Sequence, residues 1–265
     1  MPEGHTIRRQ AREHEARFVG SPVHLSSPQG RFVDGAALLD GRVMEAADAY
    51  GKHLWLTFAG DLLLHVHLGL IGGWTFGPEP APAPWGALRV RLEGNGSYAD
   101  LRGPNVCEVH TEGDRALVLA RLGPDPLRRD ADPRLAWARI SRSRVAVGQL
   151  LMDQSVVAGV GNVYRAEVLF RAGIDPHRPG RALTQLEWTA LWADLVTLMR
   201  AGLRAGRIVT TRPADRARRG GRVRLEDAHY VYRRTGLPCR VCGTPVATEP
   251  MAGRNLFWCP RCQAR

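Results

Sequence analysis

The chain has 265 residues, 44% of them hydrophobic, and a formal net charge of +11, with a sequence pI near 10.4. That composition excludes a chain disordered throughout, and the length suffices for two modest domains. No run of about 18 apolar residues marks a membrane span, and the opening Met1-Pro2-Glu3-Gly4-His5 has no apolar leader core, so the expected setting is the cytoplasm.

Residues 3–18 predict a helix with Ile7, Ala11 and Phe18 on its apolar face, ended by Gly20 and Pro22. From about 23 to 110 the pattern is one of strands, at 42–47, 53–58, 62–67, 88–93 and 97–101. Turn residues such as Gly51, Gly60-Asp61 and Gly94-Asn95-Gly96 separate them. Short strands at this spacing predict a β-sandwich or barrel. The proline-rich stretch 78–84 predicts a loop.

Past Leu122-Gly123-Pro124-Asp125-Pro126 the segments lengthen, and helices are predicted at 133–138, 147–153, 163–172 and 184–205. The last begins with Thr184 as cap and Glu187 at the capping-box position. The Arg- and Gly-rich stretch 206–226 reads as a flexible loop, and a separate small module starts at Tyr230.

A pI above about 9 is an electrostatic footprint of nucleic-acid binders. Here the excess is segregated: residues 200–265 carry 15 Arg against Asp215, Glu226, Asp227 and Glu249, while residues 1–199 are balanced. Arginine presents a planar fork of donors that suits phosphate. A general coding bias toward arginine explains the residue type but not its segregation. Of 37 basic residues only one, Lys52, is a lysine. A buried lysine can give up its proton and act as acid or base, which arginine cannot; chance retention is the alternative.

The spacing Cys239-x2-Cys242-x16-Cys259-x2-Cys262 predicts a closed tetrahedral site of four thiolates for one structural Zn2+. A disulfide framework is the alternative. The zinc would stabilise a hairpin with strands at 246–248 and 255–258 and a tip at Met251-Ala252-Gly253-Arg254, holding Arg254 out toward a partner. Cys107 stands alone and reads as a small core residue.

The segment Gln154-Ser155-Val156-Val157-Ala158-Gly159-Val160-Gly161-Asn162 predicts a tight turn between helices, with Asn162 capping the second. The start of that helix offers backbone N–H groups and a positive dipole end to a phosphate. On spacing alone, a phosphate-binding helix-turn-helix variant and a plain αα turn both remain open. Pro2 would become a free secondary amine after loss of Met1, titrating near 8 and able to attack a sugar C1′. Glu3 beside it could protonate the opening oxygen. Taken alone, Pro2 and Glu3 fit an ordinary helix start better than a nucleophile and its acid.

Together these stretches resemble the formamidopyrimidine-DNA glycosylase / endonuclease VIII family. The resemblance is carried by Pro2-Glu3-Gly4-His5-Thr6-Ile7-Arg8-Arg9, Tyr50-Gly51-Lys52-His53-Leu54, His65-Val66-His67-Leu68-Gly69-Leu70-Ile71-Gly72, the 154–167 segment, and the run from Arg254 to Gln263. The opening Pro-Glu-Gly looks more like the endonuclease VIII branch. The resemblance implies an α+β multidomain fold: an N-terminal β-sandwich with flanking helices, a helix-two-turn-helix domain and a zinc-ribbon finger. The expected domains are 2–118, a linker at 119–132, 133–226 and 227–265. DNA would lie in the cleft between the halves.

Carried over by motif, Pro2 is the nucleophile, Glu3 the acid that assists sugar opening, and Lys52 the lysine of base loss and β-elimination. Arg254 is the finger arginine that contacts phosphate and supports δ-elimination. Asn162 and Arg121 match backbone contacts. Leu70, following His67-Leu68-Gly69, matches the wedge that fills the gap left by the flipped base; a core leucine is the plain alternative. His67 is grouped with these DNA-binding positions.

The implied reaction is removal of an oxidised base, expected to be a pyrimidine such as thymine glycol or dihydrouracil, followed by β,δ-elimination. The implied partner is double-stranded DNA with oxidised or abasic sites. A monomer is expected, with no membrane partner and no redox or nucleotide cofactor. Thr6, Gly69 and Ile71 depart from residues common in the family, which bears on the lesion spectrum. An 8-oxoguanine glycosylase of the same family and a non-catalytic zinc-ribbon DNA-binding protein are the alternatives.

Overall fold

The computed structural model describes residues 2–217 and 220–264, and the chain divides into two compact units, Met1–Arg121 and Leu122–Arg265. The first unit runs α1 (Gly4–Phe18), β1 (His24–Ser26), α2 (Val33–Leu39), β2 (Met44–Tyr50), β3 (His53–Phe58), β4 (Leu62–His67), β5 (Gly73–Pro78), β6 (Leu88–Gly94), β7 (Ser97–Arg102), β8 (Val106–His110) and α3 (Glu112–Leu119). Its strands form two antiparallel four-stranded sheets, ordered β1-β6-β7-β5 and β2-β3-β4-β8. This is the expected sandwich.

Period-two alternation sends Leu54, Leu56 and Phe58 of β3, Leu64 and Val66 of β4, Val90 and Leu92 of β6, and Ala99 and Leu101 of β7 into one core. Helix α1 adds Ile7, Ala11 and Phe18 at helical spacing. Three strands (β1, β5 and β8) and two short helices (α2 and α3) were not expected from the sequence. Strand β2 spans 44–50 rather than 42–47.

The second unit holds α4 (Pro133–Ile140), α5 (Val147–Leu150), α6 (Asn162–Arg171), α7 (Gln185–Ala205), β9 (Ala247–Met251) and β10 (Arg254–Trp258). The α7 start is a complete capping box between Thr184 and Glu187, and Gly206 ends it at φ 67°. Helix α5 stops at Leu150, short of the expected 153. Leu150, Val157, Tyr164, Leu169, Trp188, Leu191 and Leu195 share the helical core. A second core joins Val163, Ala166 and Phe170 of α6 to Tyr230, Val231, Phe257 and Cys259, so the finger packs on α6.

The expected flexible loop at 206–226 includes Arg218 and Arg219, which lie outside the described residues. Its described flanks are anchored: Thr211 Oγ1 donates to the Asp227 carbonyl at 2.6 Å and Arg216 Nε to Thr211 Oγ1 at 3.0 Å. Among the described residues no helix is long and apolar enough to cross a membrane.

Candidate active site

In the first unit the N-terminal residues are pinned by the helix they start. Glu3 is fully buried at the N-cap of α1, and its carbonyl accepts from the Thr6 amide at 2.8 Å. Pro2, just ahead, is half-buried. His5 is buried too, and burial, with the Arg9 charge, depresses its pKa to about 4. Just over one turn along α1, the Arg8 guanidinium pairs with Asp48 and donates to the Ala49 carbonyl at 3.1 Å. That tie joins the first half of α1 to the end of β2, the strand that leads into Lys52.

Lys52 lies in the tight turn between β2 and β3, closed by the Tyr50–His53 pair, with Gly51 at φ 58° supplying the left-handed residue. It is half-buried rather than a solvated surface lysine. Its charge is felt by two histidines. Burial, His67 and Lys52 together hold His53 near pKa 4, and burial with Lys52 lowers His67.

The antiparallel register places further expected residues at this end of the sheet. His53 opens β3 opposite His67, which closes β4, and His67 pairs with Val106 at the start of β8. The Lys52 turn and the 68–72 turn therefore emerge side by side. In the latter, Leu70 is 49% exposed and Ile71 90%, so Leu70 is not a core leucine. Gly69 sits at φ 66°, where a Cβ would lie 2.9 Å from Asn105 Cβ. A polar side chain at 69 would meet both obstacles, which accounts for glycine there.

Arg121, the last residue of the first unit, is exposed.

In the second unit, the turn before α6 is clamped by Gln154. Its Nε2 donates to the Val160 carbonyl at 2.9 Å and its Oε1 accepts from the Gly159 amide at 3.0 Å. Gly161, not Asn162, occupies the N-cap, which corrects the expected cap. Asn162 is the first helical residue. Its Nδ2 donates to the Asn255 carbonyl of β10 at 2.9 Å, and its Oδ1 accepts from Arg165. The asparagine thus fastens the helix start to the finger hairpin.

Sequence reasoning missed Glu167. Its buried carboxylate accepts from the amides of Tyr230, Val231 and Tyr232 at 2.7–2.8 Å and from Thr210 Oγ1. A glutamate inside an apolar helical stretch was the available sign.

The hairpin turn is tighter than expected: Ala252 and Gly253, at φ 53° and 68°, connect β9 to β10 directly. Arg254 starts β10, half-buried, with one guanidinium nitrogen donating to the Gly253 carbonyl at 2.7 Å. The sulfurs of Cys239, Cys242, Cys259 and Cys262 all lie within 4.8 Å of one another. Two pairs stand at 3.8 and 3.4 Å, close to the ~3.8 Å between sulfurs around a tetrahedral zinc with ~2.3 Å bonds. Backbone amides of Val241 and Cys262 point at sulfur, at 3.5 and 3.4 Å. The donor set fits a structural zinc ion and leaves no ligand position open. Cys107 packs against the sandwich core, where burial pushes its thiol up to about 12.

Three family models match in the same order as these parts. They are the formamidopyrimidine-DNA glycosylase N-terminal domain over residues 1–107, the formamidopyrimidine-DNA glycosylase H2TH domain over 122–213, and a zinc finger found in FPG and IleRS over 236–265. The chain is also 53% identical to the Endonuclease 8 1 of Mycobacterium tuberculosis, over 99% of this chain and 100% of that protein. The chain belongs to the formamidopyrimidine-DNA glycosylase / endonuclease VIII family. Within it, identity to the formamidopyrimidine-DNA glycosylase of Thermus thermophilus is lower, 34% over 99% of this chain and 97% of that protein. The fold matches that of Lactococcus lactis Fpg, solved in complex with abasic-site DNA, with a TM-score of 0.83 at 22% identity over 99% of this chain and 100% of that one. The zinc of this family member is structural, held by the four finger cysteines.

Proposed function

We propose that this family member is a bifunctional DNA glycosylase and abasic-site lyase of base excision repair that removes oxidised pyrimidines from double-stranded DNA. The observation that carries the reading is the assembly on the first unit: the buried Glu3 start of α1 is tied through Arg8 to the strand before Lys52, with the exposed Leu70 turn at the same sheet end. The greater identity to an Endonuclease 8 1 than to a formamidopyrimidine-DNA glycosylase favours the pyrimidine spectrum.

In the proposed reaction the Pro2 amine, freed by removal of Met1, attacks C1′ and loses its proton as the base departs with the glycosidic electron pair. Glu3 protonates the ring oxygen, the C1′–O4′ bond breaks, and an iminium links Pro2 to C1′. Lys52 transfers protons during base loss and C2′ deprotonation. The 3′ phosphate then leaves, and the 5′ phosphate follows with Arg254 stabilising its charge. Arg121 and Asn162 hold the backbone, Leu70 fills the vacated stack, and His67 lines the same end. The protein acts as a monomer.

Borohydride trapping over a panel of lesions tests this. Adducts with thymine-glycol, dihydrouracil and abasic DNA are expected. No adduct with any of them overturns the enzyme reading, and faster release of 8-oxoguanine opposite cytosine overturns the substrate class.

A further inference from the structure

The face of the β2-β3-β4-β8 sheet opposite the core carries chemistry that none of the steps above uses. Alternation that sends Leu54, Leu64 and Val66 inward sends Trp55, His65 and Glu108 to this other face, where the register aligns the three across β3, β4 and β8. We propose that His65, Glu108 and His110 form a second metal site, separate from the finger, that takes a divalent ion of borderline softness such as Zn2+.

One ligand atom from each of the three lies within 4.8 Å of the others. His65 is 4% exposed, and its Nδ1 is buried with no hydrogen-bond partner among the described residues. His110 Nδ1 is in the same condition. An ordinary ion pair between His110 and Glu108, whose Nε2 and Oε2 lie 3.1 Å apart, leaves both nitrogens unexplained.

The opposite nitrogen of His65 is already engaged: Nε2 lies 2.8 Å from His53 Nδ1. That is the arrangement of a ligating imidazole whose far nitrogen is held by a neighbouring residue. Trp55 lies flat on the same ring, centroids 4.0 Å apart and planes 8° from parallel, which fixes its orientation.

Two imidazoles and a carboxylate suit zinc and leave a fourth position for water. Ligands at ~2.0–2.1 Å from a tetrahedral ion stand ~3.4 Å apart, within reach of side-chain rotation. Glu108, 62% exposed, supplies the anionic ligand and the route of entry. A metal on His65 Nδ1 places the proton on Nε2, which then donates to His53 Nδ1. Occupancy therefore sets the tautomer of the residue next to Lys52.

The test uses zinc-loaded full-length protein titrated with Co2+ and, separately, Zn2+. Metal content and visible absorption are read together. The expected result is a second ion per chain, whose cobalt spectrum lacks thiolate charge-transfer bands. His65 is enclosed and its loss risks the fold, so His110→Ala and Glu108→Ala carry the test. Each should weaken the second ion at least about tenfold while the finger ion stays. A single ion per chain in the wild type overturns the proposal. So does a second ion whose affinity neither substitution changes. Either outcome leaves the glycosylase reading untouched, because no step of it uses this site.

Discussion

A two-residue turn, one buried carboxylate and one arginine tie position the proposed chemistry. Gly51 bends the chain so that Lys52 stands half-buried beside His53 and His67, whose pKa values are lowered by burial and, less, by its charge. If Lys52 transfers protons, keeping the charge is not enough. Lys52→Arg should lower single-turnover base excision by about 100-fold or more, the range of a lost general acid–base group, with little change in binding to undamaged DNA. Single-turnover kinetics beside equilibrium binding measure both, and near-normal excision by the arginine variant would show that only charge matters there. The lone lysine was legible in the sequence. That His53 and His67 stand beside it was not, because nothing in the local pattern tells which residues face each other across β3 and β4.

At the scale of elements, legibility follows position in the sheet. The central strands β3, β4, β6 and β7 have both neighbours and a strong inward alternation, and the sequence pattern located all four. The missed strands β1, β5 and β8 are all edges. Edge strands tolerate weak patterns: β5 holds Gly73, Gly77 and Pro78, and no residue of β8 is fully buried. The capping box of α7 and the cysteine spacing were readable because each is a local rule. Glu167, and the tie of Asn162 to the finger, escaped reading because the partners lie 63 and 93 positions away.

The finger should behave as one element with its zinc. Cys239→Ser removes a thiolate and one member of the core shared with α6. Zinc content should fall, and DNA affinity with it, by tenfold or more. Elemental analysis and fluorescence anisotropy check this, and unchanged affinity without zinc would contradict it.

Across the whole molecule, charge and buried histidine set the dependence on conditions. The excess of arginine in residues 200–265 should make DNA binding fall steeply with salt, since each neutralised phosphate contributes a slope of about −0.9 in log K against log salt. Arg121→Ala should weaken binding to all sequences alike and reduce that slope by about one. An unchanged slope would remove Arg121 from the phosphate contacts.

Burial holds both His5 and His14 near pKa 4, against 6.5 for the free ring. Between those values the unfolded chain binds protons that the folded unit refuses. Stability should therefore be full above about pH 6.5 and decline as pH falls toward 4. Urea midpoints at pH 7.5 and 5 test the sign, and His14→Gln should flatten the dependence. His177 runs the other way: burial lowers its pKa, but the Glu249 and Asp175 carboxylates outweigh that and raise it. Its contribution is lost as pH rises through the raised value.

The claim that binds residue, element and molecule together is that the Pro2 amine forms the covalent bond to DNA. Borohydride trapping with thymine-glycol DNA, read by intact-protein mass spectrometry, tests it most directly. The expected result is an adduct on a chain that begins at Pro2, absent in Pro2→Gly under the same conditions. A chain that retains Met1 yet still forms the adduct, or an adduct undiminished in Pro2→Gly, would contradict it.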